Sequence, residues 1–129
     1  MCAMVAMDKI GGLWGSLPYN TYLGKWLLVG SAIWGWGTPE LACGIGYSVS
    51  SDLVNWSLVQ MIRPGYFMFS PCLPPAGQTA VWYPSIIDHA DATVNFEKSG
   101  QTPYLYFTRF NDLYLNRDLV RVPMTITQP

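Results

Sequence analysis

The chain has 129 residues, of which half are apolar, 15% are aromatic and only 12% are charged. Soluble domains carry roughly 25% charged residues, so this composition indicates many buried strands or an apolar face that a partner covers. The net charge is −1 and the basic residues do not cluster, which excludes the electrostatic footprint of a nucleic-acid-binding protein. The longest apolar stretch, Trp26 to Trp36, is interrupted by glycine and is too short to span a membrane, which takes about 20 residues.

The first seven residues, Met1 to Met7, are apolar but have no basic segment before them. A secretory signal needs that segment, so the sequence predicts no signal peptide and, by default, a cytoplasmic protein. The three cysteines, Cys2, Cys43 and Cys72, are odd in number and lack the paired spacing of a zinc site. We therefore expect free thiols that are buried or half-buried.

Seven short runs are rich in aromatic and β-branched residues and end at Gly, Pro, Asn, Asp or Ser, which is typical of strands separated by turns. The predicted strands are Leu17 to Tyr22, Trp26 to Ile33, Ile45 to Val49, Leu58 to Ile62, Val81 to Ile87, Tyr104 to Phe110 and Leu119 to Ile126. Gly24 favours a tight hairpin between the first two strands, and Pro123, which has no amide proton to donate, predicts an edge strand or a bulge. No segment keeps helical spacing for more than two turns. The sequence therefore predicts an all-β fold.

A weak internal repeat divides the chain. Pro18 and Pro84 are 66 residues apart, and the segment Asp52-Leu53-Val54 recurs at the same distance as Asp118-Leu119-Val120. Both aspartates are predicted to lie in turns. Repeated units of three or four strands at such a period are typical of β-propellers. We therefore predict one domain, residues 1–129, with a first blade-like unit at 11–63 and a second at 80–127, joined by a proline-rich segment.

The segment Ser48-Val-Ser-Ser-Asp-Leu-Val-Asn-Trp-Ser57 resembles a strand-turn-strand of five-bladed glycoside hydrolases of the arabinanase and β-xylosidase type (family 43 and its relatives). In such a turn, Asp52 is expected to cap the backbone, Leu53 to pack inward and Trp56 to cover the gap to the neighbouring blade. Further segments, in the same order as in later blades of these enzymes, are Trp14 to Leu27, Tyr83 to Asp88, Tyr104 to Phe107 and Arg117 to Pro123. The resemblance implies a partial β-propeller of about two antiparallel four-stranded blades, which correspond to the C-terminal blades only.

The catalytic carboxylates of that family come from its first three blades, and nothing in this chain matches those strands. Glycoside hydrolysis needs two carboxyl groups about 5 to 10 Å apart. The candidates here are Asp88, at the end of a predicted inner strand, and Glu40, in the tryptophan-rich loop. His89, with Asp88 and Asp91 beside it, is the candidate metal ligand. No cofactor is predicted.

Sugar binding requires an aromatic platform and a few polar groups in a concave site. The two predicted inner strands carry the candidate residues Tyr19, Asn20, Trp82, Tyr83 and Ser85. We therefore expect a carbohydrate-binding fragment that resembles a glycoside hydrolase propeller and lacks a complete catalytic site. The alternatives are a small hydrolase with a site assembled across an oligomer interface, and a non-catalytic protein-interaction domain.

Two blades would leave open sheet edges and uncovered apolar faces, which are hazardous unless another chain covers them. The sequence therefore predicts a homo-oligomer, with a possible carbohydrate ligand and with neither nucleic acid nor membrane as a partner. Arg109 and Arg121 lie within predicted strands, and we expect them to pair with carboxylates between the blades.

Overall fold

The computed structural model describes residues 5–10, 12–112 and 116–128. Its elements are α1 (Met7–Ile10), β1 (Trp14–Ser16), β2 (Tyr19–Asn20), β3 (Lys25–Trp34), β4 (Ala42–Ser50), β5 (Gln60–Pro64), β6 (Ala80–Ile87), β7 (Lys98–Ser99), β8 (Tyr104–Phe110) and β9 (Arg117–Pro123). The all-β prediction is confirmed, and each predicted run overlaps a strand. The short elements α1, β1 and β7 were not predicted. In the described ranges, no helix has the length and hydropathy of a membrane span.

The larger sheet has six strands, in the order β5-β4-β3-β2-β7, and β1 also pairs with β3. Strands β2 to β5 form an antiparallel meander, whereas β7 runs parallel to β2. The predicted hairpin between β2 and β3 is confirmed: Gly24 has a φ of 65°, and the side-chain oxygen of Asn20 accepts a hydrogen bond from the Leu23 amide. Glycine tolerates this left-handed backbone without the steric cost that a Cβ atom would add.

The smaller sheet is an antiparallel meander of three strands in the order β6-β8-β9. Pro123 lies on β9 at the edge of this sheet, as predicted. The sheets of the described chain therefore have six and three strands, where the sequence predicted two of four. The repeated aspartates are also not equivalent, because Asp52 lies in the turn after β4 whereas Asp118 lies inside β9 opposite Arg109. The predicted turn at Asp118 is wrong.

The hydrophobic core lies between the two sheets. Alternate side chains of β3 and β4 point into it, including Leu27, Val29 and Ile45, and they meet Leu105 and Phe107 of β8. Each fully buried side chain of this size contributes about 1.5–3 kcal/mol to folding. Because both sheets contribute to one core, they pack as a single unit.

A disulfide between Cys43 of β4 and Cys72 of the proline-rich segment corrects the prediction of free thiols for these residues. Their Cα atoms are 6.0 Å apart although 29 positions separate them in sequence. The amide of Phe67 donates to the Cys72 carbonyl, and the Cys72 amide donates to the Phe69 carbonyl. The bond therefore fixes an aromatic segment against β4. Cys2 lies outside the described residues.

Candidate functional site

A groove of about 580 Å³ separates β1 and β2 from β6 at the edge where the two sheets meet. We call it the inter-sheet groove. Its lining residues are Ser16, Leu17, Pro18, Tyr19, Trp26, Ser85, Ile86, Ile87, Asn95, Phe96, Glu97 and Lys98. Three aromatic rings and several hydroxyl, amide and charged groups therefore converge on one concave surface.

The aromatic wall of the groove is Tyr19 on β2 and Trp26 on β3. These residues are directly opposite each other in the ladder, and their rings meet edge to face at 5.3 Å between centroids. Aromatic pairs favour this geometry because the positive edge of one ring meets the negative face of the other. Of the predicted sugar-binding residues, Tyr19 and Ser85 line the groove. Trp26 was missed because it reads as an ordinary strand residue.

The opposite rim is the loop from Asp88 to Ser99, which two aspartates organise. Asp88 accepts hydrogen bonds from the amides of Ala90 (2.9 Å) and Gly100 (2.6 Å). Asp91 accepts from the Thr93 hydroxyl at 2.6 Å and from the amides of Thr93 and Lys98. The hydrogen bond from the Thr93 side chain, followed by those from the two amides, holds the pKa of Asp91 below its ordinary value.

The same loop returns to the larger sheet as β7, and this return places Phe96 at the groove. The Tyr19 amide donates to the Glu97 carbonyl at 2.9 Å, and the Thr21 amide donates to the Ser99 carbonyl at 2.7 Å. Phe96 has a φ of 51° and a half-exposed ring. A bulky residue in the left-handed region is a true outlier, and such residues gather at ligand-binding positions.

Two more predicted sugar-binding residues, Trp82 and Tyr83, precede a bulge in β6. The register between β6 and β8 shifts between Trp82 and Ser85, so Tyr83 and Pro84 have no separate partners in the ladder. Tyr83 has a φ of 53° and is 64% exposed, whereas Trp82 packs edge to face against Phe69 at 4.9 Å. The bulge thus presents the Tyr83 ring to solvent and directs Trp82 into the aromatic cluster beside the disulfide.

The fifth predicted residue, Asn20, is fully buried and its side chain is already engaged. Its amide nitrogen donates to the Ser99 hydroxyl at 3.0 Å and to the Gly100 carbonyl at 2.7 Å. Its oxygen accepts from the Leu23 amide. Asn20 therefore joins the β2–β3 turn to the loop that forms the rim, and it offers no group to a ligand.

The two candidate catalytic carboxylates are not brought together. Asp88 accepts a hydrogen bond from Gly100, and the Gly100 carbonyl accepts one from Asn20, which pairs with Lys25 at the start of β3. Glu40 instead follows Trp34, the last residue of β3. The ten residues of β3 span about 30 Å. The exposed Glu40 carboxylate accepts a hydrogen bond from the Thr38 hydroxyl at 3.3 Å. Within one chain, these groups do not have the separation that glycoside hydrolysis requires.

The candidate metal ligand His89 contacts aromatic residues. One ring nitrogen shares a hydrogen bond with the Tyr106 hydroxyl at 2.8 Å, and the imidazole stacks on Tyr104 at 4.6 Å between centroids. The neighbouring Asp88 and Asp91 carboxylates bind backbone amides. Among the residues that the structure describes, no three His, Cys, Asp or Glu side chains form a group that could hold a metal ion.

The two strand arginines have different surroundings. Arg109 forms an ion pair with Asp118 at 2.6 Å, which fits the prediction of a carboxylate partner although both residues belong to one sheet. Arg121 instead lies over the Tyr104 ring, with 4.8 Å from its guanidinium carbon to the ring centroid. Across the described ranges, the Arg109–Asp118 contact is the sole ion pair, so no described carboxylate neutralises Arg121.

The turn that carries the family resemblance behaves as expected in one respect and differs in another. One oxygen of Asp52 accepts from the amides of Val54 and Asn55, and the other accepts from the Asn55 side chain. Trp56 is buried, and its indole donates to the Leu53 carbonyl at 3.1 Å. Leu53, however, is 38% exposed with a φ of 63°, so the prediction that it packs inward is wrong. The left-handed backbone that closes the turn directs its side chain to solvent.

A second cavity, of about 610 Å³, lies between the core face of the larger sheet and the segment 124–128. Its walls are mainly aliphatic, including Leu27, Val29 and Ile62, and the hydroxyl of its one aromatic residue, Tyr47, donates to Gln60. It is slightly larger than the inter-sheet groove and has the polar lining residues Lys25, Ser57, Gln60, Thr127 and Gln128, but it presents one aromatic ring where the groove presents three. The inter-sheet groove is therefore the better candidate site.

The fold and site define an all-β protein of two packed sheets with an aromatic-lined groove where they meet. Comparison with known proteins identified no further relationship: no protein family, curated protein or solved structure matches this chain.

Proposed function

We propose that this chain binds a carbohydrate in the inter-sheet groove. The observation that carries the proposal is the convergence of Tyr19, Trp26 and Phe96 with the polar groups of Ser85 and Asn95 in one groove of about 580 Å³. Small-ligand sites are typically concavities of about 300–1,000 Å³ with apolar walls and a few placed polar groups. Sugars match such walls because they have apolar C–H faces and hydroxyl edges.

We also propose that the two meanders are blades of a propeller related to five-bladed glycoside hydrolases. Strands β2 to β5 and strands β6, β8 and β9 each follow one another across their sheets, as strands do in propeller blades. The amide of Ile86 on β6 donates to the Ser16 hydroxyl on β1. Strands β1 and β6, which are the first strands of the units predicted at 11–63 and 80–127, are therefore neighbours. In this interpretation the groove lies beside the propeller axis, and the separation of Asp88 from Glu40 favours binding without hydrolysis.

The test is a screen of oligosaccharide binding, followed by calorimetry on each hit. Tyr19→Ala is expected to weaken binding about tenfold or more, because it removes an aromatic ring on which a sugar ring can stack. Stacking of a nucleic-acid base on an aromatic side chain contributes about 1–3 kcal/mol, and we expect a similar contribution from a sugar. Tyr22→Ala is the matched control, since Tyr22 is a half-exposed tyrosine outside the groove. Absence of any glycan hit for the folded protein would reject the function, and equal loss in both variants would reject the site.

We further propose a homo-oligomer that forms through the free sheet edges. Strands β5 and β9 are the outer strands of their sheets, and Leu119 on β9 is 74% exposed. Open edges with apolar side chains favour pairing with another chain. Sedimentation should show concentration-dependent assembly that Leu119→Lys weakens; a monomer at all micromolar concentrations would reject the oligomer.

A further inference from the structure

We propose that the ligand is an acidic saccharide, whose carboxylate binds Arg121 on the outer face of the three-stranded sheet. This inference rests on the proposed carbohydrate-binding function and assigns the class of sugar. The outer face is the side of this sheet opposite the core residues Ile86, Leu105 and Phe107. By the strand register it includes Ser85, Ile87, Tyr104, Tyr106, Thr108, Leu119, Arg121 and Pro123.

The outer face is continuous with the inter-sheet groove. Ser85, which lines the groove, is directly opposite Tyr106, and Tyr106 is directly opposite Arg121. Residues opposite each other in a sheet have neighbouring side chains on the same face. Two interstrand spacings of about 4.8 Å place Arg121 about 10 Å from Ser85. A saccharide longer than one ring can therefore reach from the groove to the guanidinium.

Tyr106 lies between Ser85 and Arg121 on the outer face, and its ring is the surface that a saccharide would contact there. Its hydroxyl is held by His89 at 2.8 Å. The neighbouring Tyr104 ring is already covered by His89 and by Arg121. Tyr106 is half-exposed, so its ring can stack on a sugar between Ser85 and Arg121.

Arg121 has no carboxylate partner among the described residues, and its contact with the Tyr104 ring orients the guanidinium. It can therefore bind a carboxylate of the ligand. A guanidinium that lies over an aromatic ring keeps its N–H groups along its planar edge, and this edge matches a carboxylate with two parallel hydrogen bonds. The ring contact reduces the side-chain freedom that binding would otherwise remove. Arg109, by contrast, already has Asp118 as its partner.

Charge distribution also gives the ligand an orientation. Glu97 lies at the groove end and accepts a hydrogen bond from Asn95 at 3.2 Å. Lys98 lies at the same end, but its charge is balanced by Glu97 beside it and by Asp91 close to it. A sugar carboxylate there would find no unbalanced positive charge, whereas at Arg121 it meets one. The neutral part of the saccharide therefore occupies the groove, and the acidic ring lies on Tyr106 and Arg121.

The experiment compares uronate-containing oligosaccharides with the same compounds after reduction of each carboxylate to the alcohol. Calorimetry on the full chain should show tighter binding of the acidic form by about ten- to a hundredfold, the effect of a charge-assisted hydrogen bond. Arg121→Gln should lower the affinity for the acidic form far more than that for the reduced form, so that the preference is lost, and Arg121→Lys should retain part of it. Arg117→Gln is the matched control, because Arg117 lies on the same strand over Phe110 at 5.6 Å.

The outcomes separate the two proposals. Equal affinity of wild type for both forms would overturn the acidic-sugar inference and leave carbohydrate binding intact. Retention of the full preference in Arg121→Gln would overturn the assignment to Arg121. Binding of neither form, in protein whose cooperative unfolding shows that it is folded, together with no hit in the wider screen, would reject carbohydrate binding itself.

Discussion

The hydroxyl of Ser16 accepts a hydrogen bond from the backbone amide of Ile86 at 2.8 Å, across 70 positions of sequence. Ser16 is on β1 and Ile86 is on β6, so this contact joins the two sheets at the floor of the inter-sheet groove. Strands β1 and β6 belong to different sheets and have no backbone ladder between them, so the Ser16 side chain supplies the hydrogen bond that connects them. Groove geometry and sheet packing therefore depend on the same hydroxyl.

Ser16→Ala should lower the free energy of unfolding by about 1–3 kcal/mol, the cost of leaving a buried amide without an acceptor. Denaturant unfolding measures this change, with Ser51→Ala in an exposed turn as the control. Ser16→Thr, which keeps the hydroxyl, should restore most of the loss. Equal stabilities of Ser16→Ala and the control would mean that the contact contributes nothing.

The Cys43–Cys72 disulfide should stabilise the fold by restricting the unfolded chain. Closing a loop of 29 positions contributes about 3–4 kcal/mol in the chain-entropy account, so the Cys43→Ser/Cys72→Ser double variant should unfold at lower denaturant. Thiol labelling with mass spectrometry should modify Cys43 and Cys72 only after reduction. Ser51→Ala, an exposed substitution that leaves the bond intact, should keep wild-type stability.

Disulfides persist in oxidising environments and are rare in the cytoplasm, so the state of this bond in the native source tests the default prediction of a cytoplasmic location. Labelling of Cys43 and Cys72 without prior reduction, in protein taken from that source, would agree with the prediction, and labelling only after reduction would contradict it.

Asp52 should make the stability of its turn depend on pH. Its hydrogen bonds, chiefly those with the Asn55 amide and side chain, hold its pKa well below the ordinary value of 3.8. The stabilisation is therefore fully present above the ordinary value and is lost as the pH falls toward the folded-state pKa. The stability difference between wild type and Asp52→Asn should be constant from pH 7 to about 5 and shrink below about 4.

The control for this measurement is Ser51→Ala in the exposed segment beside Asp52, since serine does not titrate in this range. Its difference from wild type should stay constant over the same range. A pH-independent difference for Asp52→Asn would show that the charge of Asp52 contributes nothing to the turn.

Asp91→Ala should make the loop at the rim of the groove more mobile while leaving the sheets folded. The variant removes the acceptor of the Thr93 and Lys98 amides, so the Lys98 amide should exchange with deuterium faster and any groove ligand should bind more weakly. Asp52→Ala is a matched control, because it also removes a turn-capping aspartate but lies in another turn. If both variants changed exchange at Lys98 equally, the loop would not depend on Asp91.

Local chemistry made the strands and several turns predictable from the sequence. The aromatic and β-branched runs of β3 and β8, Gly24 in the first hairpin and Pro123 at an edge are predictable because each follows from the conformational preference of the residue and its neighbours. The capping role of Asp52 is of the same kind, since its partners are within three positions. Two local predictions failed: Asp118 lies inside β9 and not in a turn, and Leu53 points to solvent because the closure of its turn sets a positive φ there.

The tertiary structure alone decided which distant residues meet. The pairing of Cys43 with Cys72, the contact of Ser16 with Ile86 and the separation of Asp88 from Glu40 depend on how two sheets pack. Sequence distance carries no information about such pairs, because their contacts form only when a shared core brings the sheets together.

The composition of the site was in part visible in the sequence, whereas its geometry was not. Tyr19 and Ser85 were predicted and line the groove, while Asn20 proved to be a buried connector whose hydrogen-bonding groups are all occupied. An amide side chain has the same chemistry in both roles. Its burial and its partners, which packing determines, decide whether it can bind a ligand.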